Sequence, residues 1–496
     1  MIATIVIVAV VVLTIYYLFR RDNSGLPPGP PGLPLIGHLT IFKSPDPYKP
    51  LLKWSKEYGP IVKLNFGRKT VISLNSIEVV KEALVKQADN FAGRPDNYIF
   101  NKLNEGDYGI IMKDGEMQRE HRRFALQVLR DLGFGRPIIE ERIHYEVGNF
   151  MDDLTKTCGQ PLDISLPLKV CVVNIIMSLL FGKSFKNDDP GFDEYQAKLA
   201  ENIVLIQQAS ILTFFPILRA IMPNGFGLSK AIENQKYLRQ FLLKQVEDHK
   251  QRMDEDNDTY NDYTEAFLQK IYKDSNNNTR STFTLLQLTA SLWDLFNAGF
   301  ETTVTTILWG ILYLCYNPDV QEKFQKELDE AVGRVPNWDD RGQLPYVNAV
   351  IMECQRLGNI VPLGLFHRNL EATTVAGYKI PKNSIIIVNH TAVMLDERHF
   401  PNPEKFDPER FLPGLPENSE EVLKVRKEAV IPFSLGRRAC LGETLARMEL
   451  FLVMTSFFYM FKVRFPEGES KPSMEPRCGV TLAPKPFTIV LEKRLS

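Results

Sequence analysis

The sequence predicts a mainly α-helical body with minor β-sheet, tethered at its N-terminus. Three observations carry that expectation. Apolar residues recur at helical spacing over most of the chain, in segments too long for strands. Strand-like runs are short and fall near 61–74, 372–388 and 460–492. The first of all the segments, from Ile2 to Phe19, is apolar and carries no charge.

That first run is long enough to cross most of a hydrocarbon core, at about 1.5 Å per residue in a helix. Tyr16 and Tyr17 suit a membrane interface, and Arg20 and Arg21 follow the run instead of preceding it. A cleaved leader would carry its positive charge ahead of the run and small residues at its end. Residues 1–21 are therefore expected to be a single-pass anchor in membrane lipid, with the body on the cytoplasmic side. The sequons at Asn257, Asn277 and Asn389 are then expected to stay unmodified.

Residues 22–36 follow as a proline-rich hinge, LPPGPPGLP from Leu26 to Pro34, whose missing donors favour stiff extended backbone. Residues 37–496 read as one body, since no linker divides them. A hairpin is expected at Ile61–Phe66 and Thr70–Leu74 around Gly67. Helices are expected near 115–130, 139–157, 166–182, 192–213, 228–253, 284–316, 318–331 and 345–357, with a further helical pattern from Glu443 to Phe458. The charged stretches from Glu247 to Asp262 and from Asp274 to Arg280 read as solvated loops. From Ile211 to Met222 an apolar stretch broken by Pro216 fits either a core segment or one that dips into lipid.

Composition narrows the function classes. The formal net charge is -1 with both signs mixed, which gives no basic stripe for nucleic acid. Six scattered cysteines include no CxxC pair, and the histidines show no paired-ligand spacing. A flavin or nicotinamide site is not legible either, as no G-x-G-x-x-G follows a strand.

The most informative passage runs from Phe433 to Gly442, FSLGRRACLG. Cys440 lies just ahead of a helical pattern, where free N–H groups and the positive dipole end favour a thiolate. Gly436 and Gly442 let the backbone turn and approach a flat ligand, Arg438 can neutralise a carboxylate on it, and Phe433 can shield the sulfur. For Cys158, Cys171 and Cys315 the reading is plain apolar packing.

The passage resembles the haem signature F-x-x-G-x-R-x-C-x-G of the cytochrome P-450 family, and matches it at every fixed position. Glu353-Cys-Gln-Arg356 and Pro408-Glu409-Arg410-Phe411 resemble the family's E-x-x-R and P-E-R-F elements. Ala298-Gly-Phe-Glu301-Thr302-Thr resembles its A-G-x-[DE]-T motif. The hinge and the forms of these motifs are most similar to animal microsomal members of family two.

The resemblance implies the family's triangular helical prism with small sheets, haem b (iron protoporphyrin IX) and Cys440 as axial ligand of the iron. It implies that Thr302 and Glu301 deliver protons to oxygen on the opposite face. Arg438, Arg122, His367 and Arg94 are implied partners of the haem propionates. Glu353, Arg356 and Arg410 are implied to form a buried network behind the haem. The family's usual tryptophan ahead of Arg122 is replaced here by Gln118.

By position, Ile111, Met112, Phe296, Ala298, Val361, Leu365, Val480 and Leu482 are expected to line a pocket for a lipophilic substrate. Fatty acids, steroids and foreign compounds all suit such a lining. Arg119, Arg123 and Arg130 fit either a solvated face or a dock for an electron donor. The implied partners are O2, an NADPH-cytochrome reductase and cytochrome b5, with residence in the endoplasmic reticulum membrane. Two other readings stay open: a haem-thiolate isomerase or lyase that uses no O2, and a non-enzymatic haem-binding protein.

Overall fold

The computed structural model describes residues 24–104, 106, 108–133, 137–184, 190–252, 259–277, 281–479 and 481–494. The anchor, Asn257, Arg280 and Val480 lie outside them.

Helices dominate. Those that position the site are α1 (Gly115–Asp131), α2 (Ser165–Phe181), α3 (Pro190–Ala209), α4 (Leu228–Lys250), α5 (Leu285–Tyr316), α6 (Pro345–Gly358) and α7 (Glu443–Met460). Helix α5 starts where the Thr284 side chain accepts the Gln287 N–H at 3.2 Å, and it stops at Asn317 ahead of Pro318. Its 32 residues extend for about 48 Å at the usual helical rise. Among the described residues it is the one helix long and apolar enough to cross a membrane. Most of its apolar window is nevertheless buried in protein, against α2, α6 and α7, which makes it the core helix.

Two close approaches fix that packing. A Cβ on Gly310 would meet the Met454 methyl of α7 at 2.7 Å, and one on Gly299 would meet Ile176 of α2 at 2.7 Å. Gly299 therefore serves helix packing, a role its sequence context had not suggested.

The sheets are small and separate. Strands β1 (Ile61–Phe66) and β2 (Lys69–Leu74) form the expected antiparallel hairpin. Strand β2 then pairs in parallel with Ile385–Val388, Val71 facing Ile385 and Leu74 facing Val388. His367–Arg368 closes this four-stranded sheet. A second sheet joins Phe461–Arg464 to Ile489–Lys493.

Several details depart from expectation. The proline-rich segment does not stand off from the body: Pro28 accepts the Lys63 N–H at 2.8 Å, and a Cβ on Gly29 would strike the Lys63 carbonyl. The helix expected over 192–213 breaks at Ser210, followed by short helices Ile211–Phe214 and Pro216–Ile221. Phe214 packs on Phe66 with ring centres 5.5 Å apart, whereas Ile217 and Ile221 stay 70% exposed, so the stretch divides between core and surface.

Asp262, expected in a solvated loop, is buried; it accepts the Glu265 N–H at 2.9 Å and caps the helix Tyr263–Asn276. Asn389 is fully buried, and its side chain caps a short helix through the Ala392 N–H at 3.1 Å.

Candidate active site

The cysteine loop is built by backbone. Ser434 and Gly436 take positive φ, and a Cβ at Gly436 would fall 1.9 Å from the Leu84 carbonyl, so only glycine fits. The Cys440 N–H donates to the Phe433 carbonyl at 2.9 Å, three residues before α7 begins. Where a Cβ on Gly442 would stand there is open space.

The Cys440 sulfur is exposed, unlike the buried thiols of Cys171, Cys315 and Cys354. It nonetheless opens onto a recess within protein, and burial pushes its thiol up. The Gly442 N–H and the charge of Arg122 act the other way, favouring thiolate. The Phe433 ring lies beneath the Arg447 guanidinium, 4.9 Å from its centre.

Four basic groups from four parts of the chain gather beside this loop. Arg122 of α1 donates to the Ala439 carbonyl at 2.6 Å. Arg438 donates to the carbonyls of Ala92 and Lys113. Arg94 donates to those of Ile111, Leu365 and Phe366 at 2.9–3.1 Å. His367 shares a hydrogen bond of 3.0 Å with the Phe91 carbonyl through Nδ1.

These groups repel one another. Burial and the charges of Arg438 and Arg122 bring Arg94 down to about 9. Burial and Arg122 bring Arg438 to about 10, and burial with Arg94 holds His367 at about 3, hence neutral. Carbonyl dipoles and one carboxylate, Asp114, which Arg368 also shares, balance such a cluster only in part. A ligand bearing carboxylates fits it, and the open space at Cys440 and Gly442 fits a flat one: the residues suit haem.

Gln118, at the position of the usual tryptophan, is buried and donates to the Ile110 carbonyl at 3.3 Å.

Beyond its first turn, where Leu285 and Leu286 are exposed, α5 opens again in its middle. Ala298 is exposed and Glu301 and Thr302 are half-buried, between buried Phe296, Phe300 and Thr303. The Thr302 hydroxyl donates to the Ala298 carbonyl at 2.7 Å. Glu301 accepts from the Thr481 hydroxyl at 3.1 Å, and Thr481 in turn meets Thr305 at 3.3 Å.

The neighbouring Thr303 donates to Glu449 of α7 at 2.9 Å. Sequence reasoning missed this pair, which ties the helix bearing Thr302 to the helix that follows Cys440. Burial pushes Glu449 to about 8, so at neutral pH it is a carboxylic acid. Its folded pKa lies above the unfolded value, so the folded state holds the proton that the unfolded state releases. Its contribution to stability then falls as pH rises from about 4.5 to about 8. Glu449→Gln removes this dependence: relative to wild type it is expected to gain about 2 kcal/mol between pH 5 and pH 7. Urea melts at the two pH values check this, and parallel losses in both proteins would refute it.

A second missed acid is Asp294, also on α5. Its carboxylate accepts the N–H groups of Ile110 and Ile111 at 2.6 and 2.9 Å, and burial raises it to about 6. The signal was present, as one of two acids in an otherwise uncharged helical run.

Behind the loop, Glu353 accepts from Arg356 at 2.7 and 2.8 Å, from Arg410 at 3.1 Å and from the Asp407 N–H at 3.0 Å. Glu353 and Arg356 have no exposed surface.

The expected pocket residues separate. Ala298 and Leu365 are exposed, and Ile111, Met112 and Val361 half-buried. Phe296 does not line open space; it is fully buried, 5.4 Å from the Tyr195 ring. Leu482 is also core, its backbone bonded to Ile360 and Trp309.

A helical body that sets an open cysteine, Cys440, beside a cluster of buried cations with too few anions has the parts of a haem-thiolate protein. The family model described as Cytochrome P450 matches residues 27–491. Cytochrome P450 2C23 of Rattus norvegicus is 36% identical over 480 residues, covering 96% of this chain and 94% of that one. Cytochrome P450 2J2 of Homo sapiens is 35% identical over 475 residues, covering 94% and 91%. The chain belongs to the cytochrome P450 family; it binds haem and is a haem-thiolate monooxygenase.

Proposed function

We propose that the chain inserts one oxygen atom of O2 into a lipophilic substrate of the fatty acid, steroid or xenobiotic class, with electrons from a separate NADPH-dependent reductase. The observation that carries this reading is the opening of α5 at Ala298–Thr302, which places an acid and a hydroxyl at an accessible stretch in the middle of the core helix. Haem, when bound, supplies the iron at which O2 is activated.

The chain supplies the rest. Cys440 holds the iron as thiolate, and the Gly442 N–H and Arg122 favour that charge. Arg94, Arg122 and Arg438 neutralise the propionates. His367, if its Nδ1 proton stays on Phe91, offers them only a lone pair until it takes up a second proton. With haem bound, the Thr302 hydroxyl, now on the Ala298 carbonyl, would hold a proton beside the reacting oxygen, and Glu301, which accepts from Thr481, would return a proton to it. Ala298, Val361, Leu365, Ile111 and Met112 offer apolar surface to the substrate. Val480 belongs to the same reading.

Residues 1–21 anchor the chain in the endoplasmic reticulum membrane, residues 22–36 are the hinge, and residues 37–496 form the catalytic domain in the cytoplasm. Exposed Ile217 and Ile221 suit contact with lipid. Arg119, Arg123 and Arg130 are exposed on α1 and suit an acidic reductase or cytochrome b5.

Thr302→Ala tests the reaction. Turnover with added reductase is expected to keep consuming NADPH and O2 while product per NADPH falls on the order of 10-fold and peroxide rises. Unchanged product yield, with no need for NADPH, would instead establish a rearrangement without O2.

A further inference from the structure

A cleft of about 650 Å³ is lined by Arg94 but not by Arg122, Arg438 or His367. The turn of the β1–β2 hairpin, residues 94–101, residues 112–114 and residues 381–385 enclose it. Its charge is lopsided. Arg68, Lys69, Arg94, Lys113, Arg368 and Lys382 line it, against the acids Asp96 and Asp114, although Lys382 also pairs with Glu371 at 2.9 Å and Lys113 donates to Asn101 at 2.6 Å.

Asp114 is committed already: it accepts from Arg368 at 2.7 Å and from the Arg94 N–H at 3.0 Å. Lys69 is half-buried, and burial lowers its pKa; Asp96 attracts it, while Arg219 and Arg368 repel it. Positive charge held in a partly desolvated cleft focuses an attractive field on any anion that enters. The volume lies in the range of ligand sites and exceeds what an ion alone would occupy.

Apolar surface borders the same region. Arg219 belongs to the short helix whose Ile217 and Ile221 are exposed, and its guanidinium sits 4.8 Å from the Tyr98 ring centre. Phe214, just before that helix, packs on Phe66 of the hairpin.

We propose that this cleft binds a phosphate-type oxyanion, either free or as the headgroup of an amphiphile whose tail lies along Ile217 and Ile221. Lys69 and Lys382 are its principal contacts, and Arg368, oriented by Asp114, forms the back wall.

The test uses the full-length, haem-loaded protein in phosphatidylcholine nanodiscs, with empty discs subtracted. Inorganic phosphate, dodecyl phosphate and dodecanol are titrated calorimetrically. Saturable binding of a phosphate probe is expected. Lys69→Gln is expected to weaken it about 10-fold, the loss of one charge-assisted contact. Lys382→Gln, at the exposed rim, should act in the same direction, and Lys462→Gln on a distant strand should leave affinity unchanged. Equal affinity for the two phosphates identifies the free ion as the occupant; binding of dodecyl phosphate alone identifies a headgroup. Absence of saturable phosphate binding overturns the proposal. So does binding that Lys69→Gln and Lys382→Gln leave unchanged, as for an amphiphile seated over the haem.

Discussion

Cys440→Ala is expected to leave a folded protein that has lost its chemistry. The loop is held by groups that alanine retains: the residue 440 N–H on Phe433, the Ala439 N–H on Gly436, and Arg122 on the Ala439 carbonyl. Its side chain is exposed, so little packing is lost. Only the sulfur goes, and with it the electron donation that favours O–O cleavage. Turnover should fall by roughly 1,000-fold or more, equivalent to at least about 4 kcal/mol of barrier. In the reduced, carbon monoxide-treated protein, the strongly red-shifted Soret band of the wild type should be absent. A variant that keeps that band would remove Cys440 from the iron and, with it, the assignment of the whole loop.

Glu353→Ala should do the reverse, sparing the chemistry and breaking the scaffold. Its carboxylate answers two arginines, Arg356 with no exposed surface and Arg410 with 6%. Their other partners are carbonyls, of Met394 and Lys405 for Arg356 and of Pro401 and Lys405 for Arg410. Carbonyls orient a guanidinium without cancelling its charge. Removing Glu353 therefore strands buried cations, at a cost of about 3–5 kcal/mol. For a chain this long, Tm should fall by roughly 3–5 °C. Glu353→Gln keeps the shape and part of the hydrogen bonding, and should fall between. Scanning calorimetry decides it, and an alanine variant melting within about 1 °C of wild type would show that the network is not needed for stability.

What the sequence made legible follows from range. The long helices announce themselves through local periodicity, and α5 ends where Thr284 and Pro318 say it should. Tyr263–Asn276 was lost because its cap, Asp262, sits in a charged run and reads as loop until His249 is seen 2.9 Å away. The packing role of Gly299 carries no local signal, since only the three-dimensional structure shows Ile176 against it. Phe296 and Leu482 looked like pocket lining because an apolar residue gives no sign of which side it faces.

The site itself was legible in pieces. Cys440 and its glycines form one local motif, but Arg94, Arg122, His367 and Arg438 come from four separate segments. Only family resemblance could group them in advance. The Thr303–Glu449 bond joins positions 146 apart and carries no local signal at all.

The parallel pairing of β2 with Ile385–Val388 bears on how the chain is made. The hairpin leaves the ribosome with one edge open, and its partner strand follows roughly 300 residues later. At about 5–20 residues per second, that edge waits about 15–60 s during translation. Val71, Ile72 and Leu74 are all buried in the finished sheet, so the waiting edge is apolar as well as unpaired. Nascent chains should therefore be most prone to aggregate before residue 388 emerges, and a chaperone that shields the hairpin should improve yield more than one that acts after release.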